Sequence, residues 1–273
     1  MRRIHFKPTL LSITVLNKLV SQCPFLDEIV FGGRDFSLSP EIWIILSTHC
    51  PILRVLRLQG YVFVPPEVPE LILLFPRLEE LEFTFAMFNK DPDIFNTLGD
   101  AFMEHKERHG SVHPLKVLYT SGKIMHPVRV LADLLALAVP TKIESLTVGG
   151  TNVPCNVSRV EMNDRNQLQK LYACFGDPSL HLRSLTVNIN QLRNLISNDL
   201  YVLRLNNTNI PRGRDIKANL QVYRKMASEH CGFWFATVEK LTIRAQLQWF
   251  ETAGDRGMNL FEARLVMAAS PKL

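Results

Sequence analysis

Hydrophobic positions along this chain recur in two alternating rhythms. Leu16, Leu19, Val20 and Cys23 stand at i, i+3, i+4 and i+7, the spacing of one helix face. Pro24 then stops that pattern, because it has no N–H to donate and its ring crowds the preceding turn. Leu26, Ile29 and Phe31 follow as L-x-x-L-x-L, and the final alternation is that of a short strand. The same sequence of helix, break and strand returns 27 residues later. Leu11, Ser12, Leu19, Cys23, Pro24, Leu26 and Gly33 fall on Leu38, Ser39, Leu46, Cys50, Pro51, Leu53 and Gly60. Leu16 falls on Trp43, Ile29 on Leu56 and Phe31 on Leu58. A third copy carries Val68, Leu71, Phe75, Pro76, Leu78, Leu81 and Phe83.

Weaker copies supply Leu115 and Leu118; Ile143, Leu146 and Val148; Leu182, Leu185 and Val187; Leu200, Leu203 and Leu205; and Val238, Leu241 and Ile243. The tail "ARLVM" is a ninth, degenerate turn. One unit cannot bury both its helix stripe and its strand face, but stacked units bury both and build a parallel sheet along one side. The pattern predicts one α/β domain over 1–273. Clear repeats cover 11–85, irregular repeats cover 86–245, and a C-terminal cap covers 246–273.

The unit "L…xxCPxLxxLxL" resembles the cysteine-containing, ribonuclease-inhibitor-like type of leucine-rich repeat. That type is common in the repeat regions of F-box proteins, including many fungal ones. The resemblance implies a right-handed horseshoe solenoid of about eight units, with a parallel sheet on the concave face and helices and loops on the convex face. It also implies a non-enzymatic, protein-binding function, most specifically substrate recognition in an SCF-type ubiquitin ligase. A regulatory scaffold like the repeat-containing GTPase regulators is the alternative. The repeats begin almost at Met1, without a three-helix F-box ahead of them, so a ubiquitin-ligase scaffold is an expected partner only if an F-box lies upstream. Spacings between equivalent leucines run 27, 25, 37, 28, 39, 18 and 38 residues. The 18-residue unit ending at Leu203 leaves room only for a turn or 3₁₀ segment opposite its strand.

In such a fold the x positions of L-x-x-L-x-L face a partner. The candidate contacts are Glu28, Val55, Arg57, Gln59, Glu80, Glu82, Tyr119, Arg204, Asn206, Lys240 and Arg244. Val30 and Thr186 occupy the same face. Its acidic members come early and most basic ones late, so a partner of opposite polarity is steered into register. Overall charge repeats that asymmetry: residues 182–273 hold 13 Lys/Arg against 7 Asp/Glu, and the rest hold 18 against 19.

The longer units carry insertions. In 88–114, Ile94, Phe95, Leu98 and Phe102 predict an amphipathic helix that packs on the repeats. Residues 151–167 read as a polar loop. Arg212, Arg214 and Lys217 are a basic cluster suited to a phosphate or an acidic peptide. It has no aromatic interleaving and no nucleic-acid motif, so nucleic acid is not an expected partner.

Catalytic patterns are absent from the sequence. His105, His109 and His113 are spaced by four, but Gly110 is placed to end their helix and there is no H-E-x-x-H, so they read as a solvated face rather than a metal site. "FGGRD" and "VGGTN" match neither phosphate-binding glycine motif and read as turns leaving strands. G-x-S-x-G is also missing. No cofactor is expected. Asn156 and Asn206 head glycosylation sequons by pattern only. Five cysteines without paired spacing suit reduced thiols, and with no secretory signal they place the chain in the cytoplasm or nucleus. Cys155, Cys174 and Cys231 read as packing or loop thiols. The most apolar run, 130–139, is too short to span a bilayer and contains Asp133.

Overall fold

The computed structural model describes residues 1–6, 12–64, 67–84, 87–88, 94–121, 123–124, 127–149, 151–152, 170, 173–174, 177–188 and 238–244. Strands and helices alternate along them. The helices are α1 (Ile13–Ser21), α2 (Pro40–His49), α3 (Val68–Leu73), α4 (Ile94–His109) and α5 (Pro127–Ala138). The strands are β1 (Arg3–Phe6), β2 (Glu28–Ser37), β3 (Val55–Val64), β4 (Glu80–Thr84), β5 (Met87–Phe88), β6 (Val117–Ser121), β7 (Lys123–Ile124), β8 (Ser145–Val148), β9 (Thr151–Asn152), β10 (Ser184–Asn188) and β11 (Lys240–Arg244).

The turn from helix to strand follows directly from the C-P-x-L segment. Cys50 caps α2 by donating its N–H to Leu46 O at 2.8 Å, and Pro51 cannot extend the helix. The chain then folds back as Leu53 N–H reaches Cys50 O at 3.1 Å. Leu26 with Cys23, and Leu78 with Phe75, repeat the bond at the same 3.1 Å. Ser12 starts α1 by accepting the Val15 N–H, and Pro40 occupies the first turn of α2, where a missing donor costs nothing.

Eight strands lie side by side in chain order, β1-β2-β3-β4-β6-β8-β10-β11, in an open sheet, and β5 extends it beside β3. Every described pairing is parallel. Register places Ile4, Ile29, Leu56, Leu81, Leu118, Leu146, Leu185 and Leu241 in one row across the sheet. These residues point to the same face as Phe6, Phe31, Leu58, Phe83, Val148 and Val187. There they form one continuous core with helix residues such as Leu16, Trp43, Ile72, Phe102 and Leu135. The predicted amphipathic helix in the first insertion is α4, whose Phe95, Leu98 and Phe102 are buried. Consecutive helices pack against one another from α1 to α5.

Four details differ from the sequence expectation. A strand at 200–205 does not separate the last two: β10 pairs directly with β11, and Leu200, Leu203 and Leu205 lie outside the described residues. β1 adds an unpredicted strand at the opposite edge. It is a bare four-residue alternation with no helix break or leading leucine before it. The glycines at 32, 33 and 60 do not end their strands, since β2 and β3 each run ten residues, with a register shift between Gly33 and Phe36. Gly149 does leave the main sheet, and β9 then pairs β7 in a separate two-stranded sheet. Leu19, placed on the inward stripe by spacing, is 37% exposed while Leu16 and Val20 are fully buried, so the buried stripe of α1 is narrower than its apolar pattern.

Candidate functional site: the outward face of the sheet

Because strand side chains alternate, the face opposite the core carries the intervening residues. Glu28, Val55, Arg57, Gln59, Glu80, Glu82 and Tyr119 all lie there, half-buried, with Lys240 exposed at the β11 edge. Parallel register brings residues from three strands together. Arg57 on β3 stands between Glu28 on β2 and Glu80 and Glu82 on β4. Its guanidinium lies 3.5 Å from Glu28 Oε1, 3.3 Å from Glu80 Oε2 and 3.5 Å from Glu82 Oε2. Arg3 Nε approaches the same Glu28 oxygen at 3.4 Å, and Gln59 donates to Glu82 Oε1 at 3.1 Å. The planar guanidinium carries five donors, which is why one arginine can hold three carboxylates apart. The patch is thereby pre-ordered, with Glu80 its most exposed carboxylate at 42%. Toward β8 and β10 the face changes to Ser145, Thr147, Ser184 and Thr186.

Two positions on this face are not available to a partner. Val30 and Thr186 are buried. His5 is Val30's register partner and leans over Gly32, where an added Cβ would come within 2.9 Å of its Nε2. A side chain at 32 would therefore have to displace the exposed His5 ring. Arg244 is the last residue of β11 and no side-chain contact is described for it. Arg204 and Asn206 lie outside the described residues, as do the basic cluster at 209–217, Cys155, Cys231, both sequons and the cap at 246–273.

A second charged feature runs along the rim where the strands begin. The residue just before each strand's first pair alternates in sign across the whole sheet: Arg2, Asp27, Arg54, Glu79, Lys116, Glu144, Arg183, Glu239. The carbonyl of each of the first seven accepts the N–H of the next residue in this series and that of the residue following it, which fixes their order. Arg54 meets Glu79 at 2.9 Å and Lys116 meets it at 3.6 Å. The hydrogen bond from Arg54 holds the Glu79 carboxyl below its ordinary range, and the charges of Arg54 and Lys116 act in the same direction. The stabilising contribution of Glu79 is therefore present above its unfolded value and disappears as pH falls through its lowered one. Glu79→Lys places three cations on adjacent strands. It is expected to lower the urea midpoint at low salt, and half-molar salt should shrink that difference. Toward the other end the rim opens into a groove of about 370 Å³ lined by exposed Lys142, Glu144, His181, Arg183 and Glu239 over Leu180.

The remaining candidate chemistry resolves into packing. Cys50 is buried, and burial followed by the neighbouring Cys23 pushes its thiol up to about 11. Burial likewise pushes Cys174 up to about 11, so both stay protonated at neutral pH and lack thiolate reactivity. Among the described residues no group of three or more His, Cys, Asp or Glu side chains is placed to hold a metal. α4 ends at His109, and Gly110, at φ +65°, turns the chain. The histidines are nevertheless not one solvated face: His113 is buried in the core. Asp133 is also buried, and Lys170 donates to its Oδ1 at 3.0 Å. No helix among the described residues is long and apolar enough to cross a membrane. Neither a scan against protein-family models nor a search of the curated proteins returns a match for this chain.

Proposed function

We propose that the chain is a leucine-rich-repeat solenoid of the horseshoe kind that binds another protein on the outward face of its sheet and performs no chemistry. One observation carries this reading. An open, chain-ordered parallel sheet has one largely apolar, buried face, and its other face is mostly polar, with the patch across β2–β4 held together by Arg57. A rigid array of this kind presents many polar groups at fixed spacing, which lowers the ordering cost of binding an extended surface. The carboxylates at Glu28, Glu80 and Glu82 and the cation at Lys240 give that surface opposite ends of opposite sign, which favours a partner of reversed polarity. The most specific form of the reading is substrate recognition within an SCF-type ubiquitin ligase, and it rests on the resemblance of the C-P-x-L-x-x-L-x-L units. The GTPase-regulator alternative needs an exposed Arg or Asn whose loss abolishes stimulated hydrolysis; of its two first candidates Arg57 is engaged by three carboxylates, and Arg204 lies outside the described residues.

Affinity purification of the chain from cells, with mass spectrometry of what is retained, tests both levels. The double substitution Glu80→Gln with Lys240→Gln introduces no like-charge pair and is expected to cost no more than about 1 kcal/mol of stability. It should remove the specific partner that the unsubstituted protein retains. Equal retention by both proteins contradicts binding through this face. Absence of a cullin-scaffold subunit among retained proteins contradicts the ligase form while leaving the binding reading to be judged by the double variant.

A further inference from the structure

The connection between α4 and β6 contains a buried histidine where three earlier units place an exposed proline. Pro24, Pro51 and Pro76 stand two residues before Leu26, Leu53 and Leu78, and His113 stands two before Leu115. His113 is 1% exposed. Its Nε2 lies 3.1 Å from Phe75 O, the carbonyl that also accepts Leu78 N–H in the turn after α3. A carbonyl only accepts, so Nε2 carries the proton and Nδ1 is left with a bare lone pair. That Nδ1 is buried and has no hydrogen-bond partner among the described residues. Phe102 stacks edgewise on the ring at 4.9 Å, and His105 stands 5.9 Å away with His109 a further 4.6 Å beyond His105.

We propose that His113 is an acid-sensitive latch: neutral, it staples the α4–β6 connection to the turn after α3, and protonation at Nδ1 releases it. The added proton would sit in an apolar pocket with no acceptor. Among the described residues the titratable group facing it is His105, whose own protonation adds a like charge, while the turn after α3 offers it the Phe75 carbonyl. Burial is the main cause that lowers His113 to about 4, with His105 adding to it and the Phe75 bond opposing. A base lowered from its ordinary 6.5 binds more protons when unfolded, so its stabilising effect is complete above pH 6.5 and declines toward pH 4. Release would free the connection that leads into β6, the strand that pairs β4 and sets Tyr119 beside Glu82.

The test compares urea unfolding of the unsubstituted protein and His113→Gln at pH 7.5 and pH 5.0. Glutamine keeps an N–H donor but does not titrate. Acidification should raise the unfolding constant of the unsubstituted protein about 30-fold more than that of the variant, the factor set by values near 4 and 6.5. Parallel responses within about threefold overturn the latch. Should the variant not fold, the His113 ring resonances of the unsubstituted protein decide: titration well below 6 supports the latch, and titration near 6.5 overturns it.

Discussion

Leu56→Ala is expected to cost about 2–5 kcal/mol of folding free energy, read as a lowered urea midpoint with an unchanged slope. Leu56 is fully buried near the start of β3, in register with Ile29 on one side and Leu81 on the other. Truncation removes methyl groups that neighbouring units share, and both flanking strands are held by backbone pairing, so the cavity cannot close by moving one of them. The same substitution at Leu19, which sits on α1 and is 37% exposed, should cost under about 1 kcal/mol. Equal losses at the two sites would show that the inward row is not the common core.

Trp43→Ala should be at least as damaging, at about 3–5 kcal/mol, while Trp43→Phe should cost less than half of that. Trp43 is buried in α2 with its ring edge-on to Phe75 of the next unit at 6.1 Å. Alanine removes the bridge between two consecutive units. Phenylalanine retains most of it and also removes an indole N–H that finds no acceptor among the described residues. A buried donor without an acceptor carries a cost of about 1–3 kcal/mol, and relief of that cost offsets part of the lost volume. Comparable losses for the two variants would indicate that the indole N–H is satisfied or that the ring is not the contact that matters.

The strands and turns of the central units are visible in the sequence because two local rules coincide there. Leu26, Leu53 and Leu78 each follow a proline by two residues and precede an alternating pair, so helix end and strand start are marked by neighbouring residues. Where only one rule operates, the sequence misleads. Leu200, Leu203 and Leu205 show the strand spacing, yet β10 takes β11 as its neighbour, because periodicity finds candidate strands and says nothing about which strands pair. Arg3–Phe6 alternates for too few residues to stand out, and it becomes a strand by pairing with β2.

The candidate site is legible to the same extent. Parity of position alone places Glu28, Arg57, Glu80 and Glu82 on one face. Their convergence on one guanidinium depends on which strands are adjacent, and so do the alternating signs from Arg2 to Glu239. Val30 has outward parity but is buried on the face where His5 crosses Gly32, a contact between strands that no local pattern records. His113 looks like part of a polar histidine row because its spacing continues that of His105 and His109. The turn at Gly110 breaks the helix and sends His113 into the core instead.

Methyl-to-methyl nuclear Overhauser spectroscopy on leucine-labelled protein tests the chain-ordered stack most directly. Neighbouring strands lie about 4.8 Å apart, within reach of the effect, and second neighbours lie at about twice that. The account predicts cross-peaks joining Leu56 to Leu81, Leu118 to Leu146, Leu146 to Leu185 and Leu185 to Leu241, with none between Leu146 and Leu241. Cross-peaks from Leu185 to Leu203 in place of Leu241, or Leu56 and Leu81 without a shared peak, would contradict it.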